Sequence, residues 1–147
     1  MQITKVTSNK KQYLPLLLLA DEEEAMINRY LERGTMYVLE ADDVKAECLV
    51  TDEGDGILEI KSLATLPQFQ HRGYAKALIN FIEAKYKGRF KILQAGTGDS
   101  PATVPFYQKL GFVRSHIIKN FFTDNYSRPI YDGGVLLTDM VYLRKRL

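Results

Sequence analysis

A single cysteine, Cys48, leaves the chain with no pair that could close an intrachain disulfide. This fits a reducing compartment, and the apolar stretch around it (residues 46–50) marks Cys48 as a small buried hydrophobe rather than a nucleophile. Histidine is nearly as scarce. His71 and His116 have no metal-ligand spacing with each other or with Cys48, so no metal site is expected. An excess of either charge is also missing, since 20 Lys and Arg stand against 18 Asp and Glu. That balance argues against a dedicated nucleic-acid binder, which carries a basic stripe. The one basic cluster, Arg144-Lys145-Arg146, reads as the solvated end of a strand. Long apolar runs are lacking too. Leu14-Pro15-Leu16-Leu17-Leu18-Leu19-Ala20, preceded by Lys10 and Lys11, has the look of a signal sequence. It is short, however, and Asp21, Glu22, Glu23 and Glu24 follow at once with no small-residue cleavage site. It is also far too short to span a bilayer. We expect a core helix there, a cytoplasmic protein, and neither a membrane nor a nucleic-acid partner. With no internal repeat and no low-complexity linker, the 147 residues are expected to form one domain, 1–147.

What is present is a regular alternation of strand and helix signals. Residues 2–7 alternate as a strand, and 11–33 read as two helices broken near Asp21 and ended by Gly34. Strands are predicted at 36–41 and 44–51, joined by Asp42-Asp43, and at 57–66 after the turn Glu53-Gly54-Asp55-Gly56. Residues 73–87 form the clearest helix, with Ala75, Leu78, Ile79, Ile82 and Tyr86 on one face. A short buried strand at 90–95 follows. Ser100-Pro101 resembles a helix cap, although Pro105 would then delete an interior donor and favours a start near Thr103. Gly111 ends that helix, and the last strands are expected at 112–121 and 135–144, on either side of an irregular aromatic loop. This order implies an α/β (α+β) fold: one curved mixed sheet of about seven strands with helices on both faces.

The most informative stretch is Gln70-His71-Arg72-Gly73-Tyr74-Ala75, between a strand and the strong helix. A helix N-terminus has unpaired backbone donors and partial positive charge, and so can hold a phosphate. Gly73 lets the backbone approach a bulky anion, and Arg72 and Lys76 add charge. The segment resembles the acetyl-CoA signature of the GNAT superfamily. Phe106-Tyr107-Gln108-Lys109-Leu110-Gly111-Phe112 resembles that family's second signature, one strand and one helix downstream. The firm resemblance covers residues 57–112. It implies an N-acetyltransferase with acetyl-CoA as co-substrate and no metal. Gln70, His71, Arg72, Gly73, Tyr74, Ala75 and Lys76 would cradle the CoA pyrophosphate. Backbone groups of Leu63, Ala64 and Thr65 would bind the acetyl and pantetheine portions, on a strand that in this family splays from its neighbour. The family often has Asn seven residues before the tyrosine. Ser100 stands there instead, either as a CoA contact or only as a helix cap.

Transfer from a thioester to an amine needs a proton acceptor for the amine, a stabiliser for the carbonyl oxygen and a proton for the leaving thiolate. Strict alternation along 57–66 would put Ile57, Glu59, Lys61, Leu63 and Thr65 on one face, and Leu58, Ile60, Ser62, Ala64 and Leu66 on the other. A carboxylate in a central strand is costly unless paired or used, and Glu59 lies where several GNAT enzymes carry a catalytic glutamate. It is either the base or the partner of Lys61. Tyr107 is the candidate acid by family position, or else a core aromatic. The acceptor, a primary amine of a small molecule or peptide, would attack directly in a ternary complex. The family resemblance places it near Asp21, Glu22, Glu23 and Glu24 and the loop 120–134. Those acids attract a cationic amine or simply begin a helix. The loop walls the acceptor pocket or makes a homodimer contact. The alternative to an enzyme is a non-catalytic acyl-CoA-binding sensor or partner module.

Overall fold

The structure is a computed structural model describing all residues 1–147. In chain order its elements are β1 (Gln2–Lys5), α1 (Leu14–Ala20), α2 (Glu24–Ile27), β2 (Thr35–Ala41), β3 (Asp43–Asp52), β4 (Ile57–Thr65), α3 (Tyr74–Tyr86), β5 (Ile92–Gly98), α4 (Val104–Lys109), β6 (Val113–Ile118), α5 (Phe121–Asn125), β7 (Tyr131–Asp132), β8 (Val135–Leu136) and β9 (Met140–Arg146). Seven strands form one mixed sheet in the order β1-β2-β3-β4-β5-β9-β6, and β7 and β8 make a separate small hairpin. Only β4 and β5 run parallel, and α3 makes the crossover between them. The expected α/β architecture is the one observed.

Helices cover both faces because each face carries its own apolar set. On one side Tyr37, Cys48, Val50, Leu58 and Ile60 of the sheet pack with Leu78, Ile79, Ile82 and Tyr86 of α3 and Tyr107 of α4. On the other, Met36, Val38 and Leu49 pack with Leu17 of α1, Ile27 of α2 and the adjoining Tyr30 and Leu31. Cys48 is fully buried, as a small hydrophobe should be. The 14–20 segment is the core helix expected, and no helix of the chain is long and apolar enough to cross a membrane.

Lys10 fastens the end of the α2 region. Its Nζ donates to the carbonyls of Leu31 (2.9 Å), Glu32 (3.2 Å) and Gly34 (2.8 Å), carbonyls that a terminating helical segment leaves unpaired. Lys10→Met is expected to cost about 1–2 kcal/mol, because charged hydrogen bonds are lost and the stem is kept. Urea unfolding at neutral pH would show a lower midpoint with an unchanged slope.

Four details depart from the sequence reading. First, strict alternation along β4 fails. Leu49 pairs with Ser62 and the next residue, Val50, pairs with Ile60, so Lys61 is an extra residue in a bulge. Ile60 and Leu63 consequently share the α3 face, and Ser62 turns to the α1 face beside Glu47. Second, the buried strand runs over Ile92–Gly98, two residues later than expected at its start and three at its end. Gly96 and Gly98 stay in the ladder because β9 pairs with them. A Cβ on Gly96 would lie 2.8 Å from Met140 Sδ, and one on Gly98 would lie 2.5 Å from Leu137 Cδ1, so these glycines serve close packing. Third, of the two starts considered for α4 the cap at Ser100 is not used: Thr103 is the N-cap and the helix starts at Val104, as Pro105 favoured, which puts that proline in the first turn where no donor is needed. Fourth, the last expected strand is divided into β8 and β9, and the aromatic loop contains α5 and β7.

Candidate active site

The β4–β5 ladder stops at Ile60 and Ala95, although β4 continues to Thr65 and β5 to Gly98. Beyond that point the two strands part. The bulge at Lys61 helps, since it increases local twist. Backbone groups of residues 61–65 that point away from β3 thus face an opening instead of a neighbouring strand.

A cleft of about 570 Å³ fills one side of the opening. Leu63, Ala64 and Thr65 form one wall, and Gln70, His71, Gly73, Tyr74, Ala75 and Lys76 another. Gly73 is the N-cap of α3 with φ 84°, and no side chain caps that helix, so the first-turn donors face the cleft unclaimed. A Cβ on Gly73 would meet nothing within 4 Å, so the space above it is open to a ligand. The shape and donors fit a pyrophosphate. Arg72 does not line the cleft, and its guanidinium lies 5.1 Å from the centre of the Phe69 ring. Ser100 does not line it either. It is buried, its Oγ accepts from the Ala102 N–H (3.0 Å) and donates to the Asp132 carbonyl (3.3 Å).

A second cavity, of about 270 Å³, lies on the other side of the opening. Leu63, Thr103 and Tyr107 line both cavities and so mark where they meet. Thr103 Oγ1 accepts from Thr97 Oγ1 (2.9 Å) and donates to the Gly98 carbonyl (3.3 Å). The sequence reading treated Thr103 only as a helix start. Its position four residues before Tyr107, one helical turn, was the available signal.

Tyr107 is buried among Phe106 and Phe112 and lines both cavities. Burial, with smaller contributions from Cys48 and Glu47, pushes its phenol well above the ordinary value. The group therefore holds its proton at neutral pH, as an acid must.

Glu59 is buried on β4. Its Oε1 accepts from Gln94 Nε2 (2.6 Å), and its Oε2 pairs with Lys61 Nζ (2.8 Å). The carboxylate is thus fixed in orientation by two partners. It lines a side cavity of about 170 Å³ with Arg29, Tyr30 and Tyr142, and Lys61 reaches both this and the larger cavity.

The loop 120–134 walls the second cavity through Phe122, Tyr126, Ile130, Tyr131 and Asp132. It is tied to the acidic turn. Tyr126 Oη donates to Asp21 Oδ1 (2.7 Å), Tyr30 Oη to Asp21 Oδ2 (3.1 Å), and Ser127 donates through N and Oγ to Glu23 Oε2 (2.9 and 2.7 Å). Asp21 and Glu22 face the cavity, and Glu24 pairs with Lys11 at 2.9 Å. Desolvation raises Asp21 above the usual carboxylate value, partly offset by the two tyrosines.

Residues 32–114 match the acetyltransferase (GNAT) domain family. An uncharacterized N-acetyltransferase of Bacillus subtilis strain 168, YvbK, is 33% identical over 131 residues, 87% of this chain and 84% of that protein. The crystal structure of a GNAT family acetyltransferase from Elizabethkingia anophelis with acetyl-CoA bound superposes with TM-score 0.93 at 34% identity, covering 99% of this chain and 97% of that one. A Bacillus subtilis acetyltransferase in complex with CoA gives 0.89 at 30% identity, covering 99% and 98%. By sequence, sheet topology and the parting of β4 from β5, this chain belongs to the GNAT family and is an acetyltransferase.

Proposed function

We propose that this acetyltransferase, one catalytic domain over 1–147, passes the acetyl group of acetyl-CoA directly to a primary amine of a small molecule or peptide in a ternary complex. The observation that carries the reading is the meeting of two cavities at Leu63, Thr103 and Tyr107. One cavity suits a nucleotide-bearing thioester and the other an amine. CoA or acetyl-CoA bound in the two crystallised relatives supports the first half. The α3 N-terminus from Gln70 to Lys76 takes the pyrophosphate. Arg72 contributes from outside the cleft as a positive charge, and Ser100 holds the turn that presents Ala102 and Thr103. Backbone donors among Leu63, Ala64 and Thr65 stabilise the carbonyl oxygen as charge develops. The amine nitrogen bonds to the acetyl carbon, the carbon–sulfur bond breaks, Glu59 takes the amine proton directly or through water, and Tyr107 protonates the departing thiolate. The site works in the cytoplasm. A homodimer, where it forms, uses the exposed apolar residues Val113 and Ile117 of edge strand β6.

Glu59→Gln tests the base. It keeps the bond to Gln94 feasible and removes the proton acceptor, so kcat is expected to fall about 100-fold, with acetyl-CoA affinity unchanged. Turnover recovers as pH rises, because the amine then arrives already deprotonated. Wild-type turnover across the pH range would leave Glu59 with the Lys61 ion pair alone.

A further inference from the structure

Glu47, on β3, is fully buried, and its Oε2 is the only buried side-chain polar atom of the chain without a hydrogen-bond partner. Its Oε1 accepts from Ser62 Oγ. Nothing nearby compensates the carboxyl. Its ladder neighbours are Val38 on β2 and Ala64 on β4. The buried residues of α1 and α2 are Leu16, Leu17, Met26 and Ile27. The titratable groups that feel it are Tyr30 beside α2, Cys48 on β3 and Tyr107 on α4, and no lysine or arginine offsets it. A buried acid without a cation is a standing cost to the fold, and an apolar residue of similar volume would remove it. Yet the bulge at Lys61 turns Ser62 to meet it, and Ser62 lines the acceptor cavity.

We propose that Glu47 and Ser62 form the recognition device for the acceptor's ammonium group, with Ser62 as the contact and Glu47 as the buried counter-charge that positions and polarises it. This rests on the transferase reading above and names the charge state in which the acceptor is bound. The Ser62 hydroxyl donates its hydrogen bond to Glu47 Oε1 and so turns its oxygen lone pairs toward the cavity, where they accept from N–H. Burial holds the Glu47 carboxyl up to about 8 in the free protein, so the acid is mostly neutral while the cavity lacks a cation. An ammonium at Ser62 supplies the missing positive charge, favours the carboxylate and expels one proton to solvent. A neutral ligand of the same shape does none of this. Glu47 is a positioning residue. The base role stays with Glu59.

The test is an infrared titration of the Glu47 carboxyl, obtained as wild type minus Glu47→Gln, in n-propylammonium chloride, sodium chloride or 1-propanol. The expected result is a midpoint lowered by about one pH unit or more in n-propylammonium only, equivalent to about tenfold tighter binding of the cation by the ionised form. Ser62→Ala abolishes that shift. A midpoint unmoved by n-propylammonium, moved equally by sodium chloride, or still moved in Ser62→Ala overturns the proposal. No turnover is needed, so failure here is distinct from failure of the transfer reading, which acetyl-CoA binding and acceptor assays address separately.

Discussion

Glutamate in place of Gly73 is expected to weaken acetyl-CoA binding by at least 100-fold. The position is the N-cap of α3, at φ 84°, and the space above it is open. A side chain there acts in two ways. The left-handed backbone costs about 1–3 kcal/mol for a residue other than glycine. The new carboxylate also stands at the unclaimed donors of α3, where the proposed phosphate would sit, so repulsion replaces attraction. Loss of about 3 kcal/mol corresponds to roughly 100-fold in Kd. Calorimetric titration with acetyl-CoA measures this directly, and circular dichroism checks that the fold survives. Gly73→Ala separates the two causes. It carries the backbone strain without the charge and should lose affinity by a much smaller factor. Equal affinities for wild type and Gly73→Glu would move the phosphate site away from α3.

The Tyr107→Phe variant is expected to retain its packing and lose its chemistry. The ring contacts with Phe106 and Phe112 persist, and the residue lines both cavities, so stability should hardly change. Under the proposed role, CoA would then leave as a bare thiolate, and general acid catalysis of this kind contributes about 10²–10⁴-fold. The effect should fall on kcat, with acetyl-CoA affinity altered by only a few-fold. An acceptor assay followed by thiol release reads it. Unchanged turnover would reduce Tyr107 to a core aromatic.

What could be read from the sequence was whatever is encoded locally. The periodicity of α3 and the glycine at its start are properties of about a dozen adjacent residues, and the helix lies where the pattern put it, Tyr74–Tyr86. The signature residues from Gln70 to Lys76 come together with Leu63, Ala64 and Thr65 at one cleft, with Arg72 outside it. What escaped depends on distant partners. Alternation along β4 is broken by the register of β3, which no residue of β4 announces. Gly96 and Gly98 fell outside the strand expected at 90–95 because their reason for being small, Met140, Tyr142 and Leu137, lies some forty residues away in the chain. The aromatic loop is held in part by Asp21 and Glu23, about a hundred residues earlier. Glu47 drew no attention, since a glutamate in an apolar strand resembles a solvated face until the helices covering it are seen. Glu59 stood out on the cost of a carboxylate in a central strand: the Lys61 pair exists, and it leaves the carboxylate fixed at the wall of the side cavity.

Direct transfer where the two cavities meet, as proposed, is tested by following two products at once. Purified protein is mixed with acetyl-CoA, with and without a panel of primary amines, and free thiol release and intact protein mass are followed together. Direct transfer gives thiol release that requires an amine, with stoichiometric N-acetylated product and no acetyl group on the protein at any time. A burst of thiol without amine accompanied by an acetylated protein, or no amine-dependent release across the panel, would contradict it.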